Sequence, residues 1–274
     1  MSRRVFILGH RGMLGHVVAR RAAERGYVVI TTDARFGGGA HDPVIEAARG
    51  LDADVVLNCL GCTPSRSTDL WTLMVANALF PLHLAAQLRP TQYLIHASTD
   101  CVFAGARGQY TTDSPRDAVD SYGFSKVLGE EIRRRPNTTV VRTSIIGPNP
   151  AAPRGLMAWF LAQPESVDVP GYVNHRWNGM TTLDWADFAL DLADAWVANP
   201  SRPVSAVVQP ATAVVTKYEL LCTLRDVAAP TRRVRPVSAT AAIDRSLVPT
   251  DPRVPIREQL ERLVEWYPLE RPHL

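Results

Sequence analysis

Short runs rich in Val, Ile and Leu alternate with longer amphipathic stretches along most of the chain. RVFIL, YVVITT, ADVVLNCL, QYLIHAS and TTVVRTSII each read as a strand. Their apolar residues are nearly continuous, as strands buried on both faces require. Between them, MLGHVVARRAAERG, DLWTLMVANALFPLHLAAQL and the segment opening at DSYGFSKVLGE read as helices. This alternation predicts an α/β fold, a doubly wound parallel sheet covered by helices on both faces.

The texture changes after Gly147. PNPAAPRG is a Pro-rich loop, and GMTTLDWADFALDLADAWVA reads as a helix capped by Thr181 or Thr182. PVSAVVQP reads as a further strand of the main sheet, and KYELLCTLRDVA and REQLERLVEW as two more helices. The expected plan is a Rossmann-type sheet domain over 1–147, completed by about 182–209. A smaller α/β lobe would be assembled from 148–181 and 210–274.

The 274 residues are 46% hydrophobic with a net charge of +3, enough for a real core. So small a charge argues against a nucleic-acid partner and permits a local site for an anionic ligand. Four cysteines are too few for a disulfide scaffold. Cys59 and Cys62 form a lone C-x-x-C with no second pair or histidine cluster, so no metal site is expected. The apolar run after the N-terminal arginines is too short for a signal-peptide core. The longest apolar region is interrupted by Asn77, Pro81 and His83, so no membrane span is expected. The expected location is the cytoplasm.

LGHRGMLGH carries Gly9, Gly12 and Gly15 between a strand and a helix. There the glycines permit a tight turn, and the helix N-terminus offers N–H groups and partial positive charge to a pyrophosphate. Asp33 ends the second strand, where a carboxylate can hold ribose hydroxyls. Arg11 and Arg35 could instead take a 2′-phosphate. Asp33 favours NADH and the arginines NADPH; the reading leans to NADPH and leaves both open.

Tyr122 and Lys126 lie four apart, so both project from one helix face. A neighbouring ammonium would lower the pKa of a phenol. Upstream, Ser98 and Thr99 end a strand, and in a doubly wound sheet ligands sit beyond the carboxyl ends of strands. Thr99 should therefore face the same crevice.

STDCVFAG, SYGFSK and the glycine loop together resemble the extended short-chain dehydrogenase/reductases, and within them the dTDP-4-dehydrorhamnose reductase branch. VVRTSIIGP, NGMTTLDWA and IDRSL fit that branch as well. The resemblance implies reduction, by NADPH or NADH, of the 4-keto group of a nucleoside-diphosphate deoxysugar. Tyr122 would donate the proton, Lys126 would acidify it and bond the nicotinamide ribose, and Thr99 would bond the carbonyl oxygen. Dinucleotide contacts would come from the glycine loop with Arg11, Met13 and Leu14, from Asp33 and Arg35, from Cys59, Leu60 and Gly61, from Asn77, and from Tyr122 and Lys126. Substrate contacts would come from Thr99, Asp100, Ile145, Trp177, Asn178 and Arg233, the last within the basic run Arg232, Arg233 and Arg235. A homodimer is a possible assembly.

The chain departs from that branch at Ile145, where its relatives carry Trp, and at Thr112, where they carry Glu. Both positions bear on which sugar is taken. The related dehydratases carry Asp-Glu after the Thr; here the pair is Asp100-Cys101, and a thiol is a poor stand-in for that Glu, which argues against a dehydratase. RVFILGHRGMLG also resembles the opening of the GDP-fucose synthases, whose cysteine at the position of Cys101 exchanges protons beside the ketone with a histidine. His175 is the nearby candidate partner. A third alternative is a non-catalytic dinucleotide-binding regulator, although such a chain would be free to lose Tyr122 or Lys126.

Overall fold

The computed structural model describes residues 3–38, 42–50, 52–150, 154–204 and 206–268. Residues 151–153 of the Pro-rich loop, and the last residues of the expected C-terminal lobe, lie outside that set.

Six parallel strands form the central sheet: β1 (Arg4–Leu8), β2 (Val28–Thr31), β3 (Val55–Asn58), β4 (Tyr93–Ala97), β5 (Thr138–Val141) and, much later in the chain, β10 (Val207–Val208). Their spatial order is β10-β5-β4-β3-β1-β2. The order reverses at β1, which pairs with β2 on one side and β3 on the other. That switch point opens a crevice beyond the carboxyl ends of the strands.

Alternate side chains of each strand enter different cores. Val5, Ile7, Val55, Leu57 and Ile95 pack on one face with α1 (Gly15–Glu24) and the long helix α7 (Thr182–Ala198). Phe6, Leu8, Val56 and Leu94 pack on the other with α2 (Pro43–Gly50) and α4 (Phe80–Gln87). Helix α7 is capped by Thr181, whose side chain accepts from the Asp184 N–H. Arg21 of α1 and Arg25, its C-cap, pair with Asp187, Asp191 and Asp194 of α7, tying the late helix to the early one.

Two sequence expectations need correction. TTVVRTSII is not one strand: β5 stops at Val141, and Ile145–Ile146 forms β6, which leaves the sheet to pair with β9 (Met180–Thr181). Arg142, at the break, turns to a buried carboxylate on another element. The second predicted helix is not uniform either. Between α3 (Leu70–Met74) and α4 runs a π turn, Val75–Leu79, with the Phe80 N–H bonded to the Val75 carbonyl. Pro81 lacks the N–H that would reach the Asn77 carbonyl four residues back, which explains a wider turn at this point. Leu70–Gln87 is apolar and long enough to cross a membrane by length and composition. Here it packs in the layer beside α2 and α5 (Ser121–Gly129).

The remaining strands are short. β7 (Asp168–Tyr172) pairs with β13 (Arg233–Val237), and β8 (His175–Trp177) lies between β12 (Val215–Thr216) and β14 (Ile243–Asp244). β11 (Pro210–Ala211) pairs with β15 (Asp251–Pro252). Helices α6 (Leu156–Leu161), α8 (Lys217–Ala228) and α9 (Ile256–Trp266) complete the chain.

Candidate active site

A cleft of about 590 Å³ runs across the carboxyl ends of β1 to β5. At one end is the glycine loop. Gly9 has φ +79°, a left-handed conformation, and its carbonyl accepts from the Gly12 N–H at 2.9 Å. Helix α1 then begins with no side-chain cap and no acidic residue in its first turn. No side chain offsets its positive end, which lies behind Met13 and Leu14 in the cleft lining. This arrangement fits a pyrophosphate.

Asp33 lines the cleft with Arg35. Its carboxylate accepts from Arg11 Nη2 at 2.5 Å and lies 3.5 Å from His10 Nε2. Arg66 and Arg154 also line this region. Sequence reasoning did not single them out, because neither sits in a recognisable motif.

The floor is the loop after β3, fixed by two asparagines. Asn58 accepts from the Leu60 N–H at 3.1 Å. Asn77 accepts from the Cys62 N–H and donates to the Cys62 carbonyl, both at 2.8 Å, and donates to Ser125 Oγ at 3.0 Å. Cys59, Leu60, Gly61 and Asn77 all line the cleft. Cys59 and Cys62 are free thiols, and burial pushes the Cys59 thiol well up.

At the far end β4 delivers Ser98, Thr99 and Asp100, and α5 delivers Tyr122 and Lys126. Asp120 caps α5 by accepting from the Gly123 N–H at 2.7 Å. Glycines let the helix sit close: a Cβ on Gly123 would stand 2.2 Å from the Cys101 carbonyl oxygen, and one on Gly129 would stand 1.9 Å from that of Asn77. The Thr99 hydroxyl donates to Asp100 Oδ1 at 3.1 Å and accepts from the Cys101 N–H at 3.2 Å. Lys126 Nζ donates to the Ala97 carbonyl at 2.8 Å.

The electrostatics differ from the sequence expectation. Burial raises the Tyr122 phenol above its ordinary range, reinforced by Cys101, Asp100 and Asp120 and opposed by Thr99. Lys126 is itself desolvated and pulled down to about 8, with Glu130 opposing. In the protein alone, burial sets the direction of the phenol's shift, opposite to the acidification expected from the sequence.

Behind these groups lies a buried network. Glu130 and Arg142 have no exposed side-chain surface, and their ion pair closes at 2.7 Å. Glu130 also accepts from Ser98 Oγ at 2.6 Å. Arg142 Nη1 donates to Gln209 Oε1 at 2.9 Å, and Gln209 Nε2 donates to the Tyr110 and Val248 carbonyls.

Among the expected substrate residues, Thr99, Asp100 and Ile145 line the cleft. Trp177, Asn178 and Arg233 do not. Trp177 is buried and donates to Ser144 Oγ at 2.7 Å. Asn178 clamps the Leu247 backbone through its carbonyl and N–H. Arg233 lies on an exposed strand, 2.8 Å from Asp168. Buried polar contacts and a surface ion pair take up the polar groups of these three residues. His175 is no partner for Cys101: its ring packs against Tyr172 and its Nε2 lies 3.2 Å from the Ala241 carbonyl. The Cys101 thiol is pushed up to about 12 by burial and by Asp100.

The profile of the RmlD substrate-binding domain family matches residues 3–253. The chain belongs to this family. It is 32% identical over 152 residues to dTDP-4-dehydrorhamnose reductase of Mycolicibacterium smegmatis, covering 53% of this chain and 46% of that protein. It is 31% identical over 149 residues to the spore coat polysaccharide biosynthesis protein SpsK of Bacillus subtilis, covering 52% of each. The matches therefore span about half the length of these curated relatives. The fold of this RmlD-family chain is shared with dTDP-4-dehydrorhamnose reductase of Bacillus anthracis, solved in complex with NADP. The TM-score is 0.81 at 18% identity, over 97% of this chain and 100% of that one.

Proposed function

We propose that the protein is an NAD(P)H-dependent reductase of the 4-keto group of a nucleoside-diphosphate deoxysugar, working in deoxysugar or polysaccharide assembly. The observation that carries this reading is the convergence of Thr99, Tyr122 and Lys126 at one end of a cleft whose other end is an uncapped helix behind a glycine turn. The names of the M. smegmatis and B. anthracis relatives support the same chemistry. In this reading residues 1–147 and 182–209 hold the dinucleotide, and 148–181 with 210–274 shape the substrate side.

When bound, the reduced dinucleotide supplies the hydride to the carbonyl carbon. Tyr122 gives its phenolic proton to the carbonyl oxygen, which becomes the new hydroxyl. Thr99 donates to the same oxygen as negative charge develops on it. Lys126, cationic below about pH 8 and anchored on Ala97, would hold the nicotinamide ribose. Asn77 keeps the Cys59–Cys62 loop shaped around the ring. The test is oxidation of NADPH or NADH by 4-keto-6-deoxysugars carried on thymidine, uridine, guanosine and cytidine diphosphates. A non-catalytic regulator would bind the dinucleotide and turn over none of them.

Asp33 decides between the two dinucleotides. Its carboxylate can hold a ribose 2′-hydroxyl and repels a 2′-phosphate, and it engages the Arg11 guanidinium that would otherwise meet that phosphate. Asp33→Ser frees Arg11. The ratio of kcat/KM for NADPH to that for NADH should rise by roughly tenfold or more. An unchanged ratio would remove Asp33 from cofactor choice.

A further inference from the structure

The floor of the cleft rests on a buried histidine that the chemistry above does not use. His96 lies on β4, upstream of Ser98, and pairs in register with Asn58 of the neighbouring β3. Both side chains are buried, and neither lines the cleft. The Asn58 amide stands between two partners, the Leu60 N–H at 3.1 Å and His96 Nδ1 at 2.9 Å.

The three groups fix one another's protons. A backbone N–H can only donate, so the amide turns its oxygen to Leu60. Its NH2 is left to face His96, and it too can only donate. Nδ1 is therefore the bare nitrogen, and the imidazole proton sits on Nε2. A doubly protonated ring would set donor against donor. Burial, with the Lys126 cation adding to it, holds the His96 pKa well below its ordinary value, so the ring stays neutral. Nε2 is buried with no hydrogen-bond partner among the described residues. An apolar side chain would fill this core position without stranding a polar atom. The contact that distinguishes a histidine here is the one Nδ1 makes.

That contact bears on the meeting point of two cleft-lining segments. Cys59, Leu60, Gly61 and Cys62 line the cleft, as does Gly9 of the glycine turn. The two segments touch: a Cβ on Gly9 would stand 2.9 Å from the Leu60 nitrogen. Asn77 anchors the far end of the loop at Cys62, and Asn58 anchors the near end. A flipped Asn58 amide would set NH2 against the Leu60 N–H and push the backbone off its seat. We propose that His96 is a positioning residue for dinucleotide binding: by accepting from Asn58 it locks the amide that holds Leu60 against the glycine turn. The inference rests on the reading of this cleft as a dinucleotide site.

The test is calorimetric titration of NADP+ and NAD+ into the parent and its variants, each with its thermal midpoint. His96→Leu keeps most of the bulk and removes the acceptor. It should raise Kd, for the dinucleotide that the parent binds best, by roughly tenfold. His96→Asn sets a carbonyl oxygen near the place of Nδ1. It should return Kd to within about threefold of the parent's, although its lost volume lowers the thermal midpoint. Packing alone predicts the reverse order, with the smaller Asn the worse binder. In an Asn58→Ala background, adding His96→Leu should leave Kd where the first substitution put it. The 15N spectrum of the parent gives a check that needs no variant: at neutral pH Nδ1 of His96 should be the unprotonated nitrogen. If the parent binds a dinucleotide and His96→Leu binds it equally well, or if Nδ1 carries the proton, the inference fails and the reading of the cleft survives. If the parent binds neither dinucleotide, that reading fails and the inference falls with it.

Discussion

Tyr122→Phe should lower ketone reduction by roughly 10³-fold, the scale on which a positioned proton donor contributes. The substitution keeps the ring and removes one oxygen. The dinucleotide end of the cleft is formed by other elements, so cofactor affinity should change little. The loss should appear in kcat and in kcat/KM alike, because the proton moves only in the transition state. The phenol's raised pKa bears on this expectation. It keeps the hydroxyl protonated through the neutral range, as a donor must be, but makes it a reluctant acid in the protein alone. Thr99 opposes that reluctance. A variant that retains turnover to within about tenfold would mean that the proton comes from elsewhere.

The second large effect concerns stability. Glu130→Leu should destabilise the protein by about 3–5 kcal/mol, because it leaves the Arg142 guanidinium buried and unpaired. Ser98 and Arg116 would lose an acceptor in the same step. Combining it with Arg142→Met should recover a good part of the loss, since two apolar side chains do not need each other as two charges do. Urea unfolding of the two single variants and the double variant measures this coupling. If Glu130→Leu matched the parent to within about 1 kcal/mol, the pair would not hold this corner of the site. The position matters for function because the pair ties β4, α5, β5 and, through Gln209, the later chain to one buried point directly behind Thr99.

Sequence and structure part company along a physical line. The six strands, the glycine turn and the Tyr122–Lys126 face were legible because each depends on residues close together in the chain. Burial on both sheet faces writes itself as a run of Val and Ile, and a helical turn writes itself as a spacing of four. The Glu130–Arg142 pair was not legible. Glu130 stands in GEEIRRR, which reads as an ordinary charged helix end, and nothing local tells one glutamate from its exposed neighbours. Arg245 stands within IDRSL, but its approach to Cys101 Sγ spans 144 residues of chain and nothing local announces it. Trp177, Asn178 and Arg233 stand outside the residues that line the cleft. Their residue types suit a sugar nucleotide, but tertiary contacts took up their polar groups first. The π turn at Asn77 falls between. Pro81 announced an interruption, and only the packing of Gly129 against the Asn77 carbonyl shows what the interruption accommodates.

The central claim is that this cleft delivers a hydride and a proton to a sugar ketone. The most direct measurement supplies the protein with NADPH or NADH deuterated at the transferable position, together with the panel of nucleoside-diphosphate 4-keto-6-deoxysugars, and reads the products by mass spectrometry. The expected result is one deuterium on the former carbonyl carbon of at least one sugar, with an equal amount of dinucleotide oxidised. Unlabelled sugars and intact reduced dinucleotide across the whole panel would contradict the account.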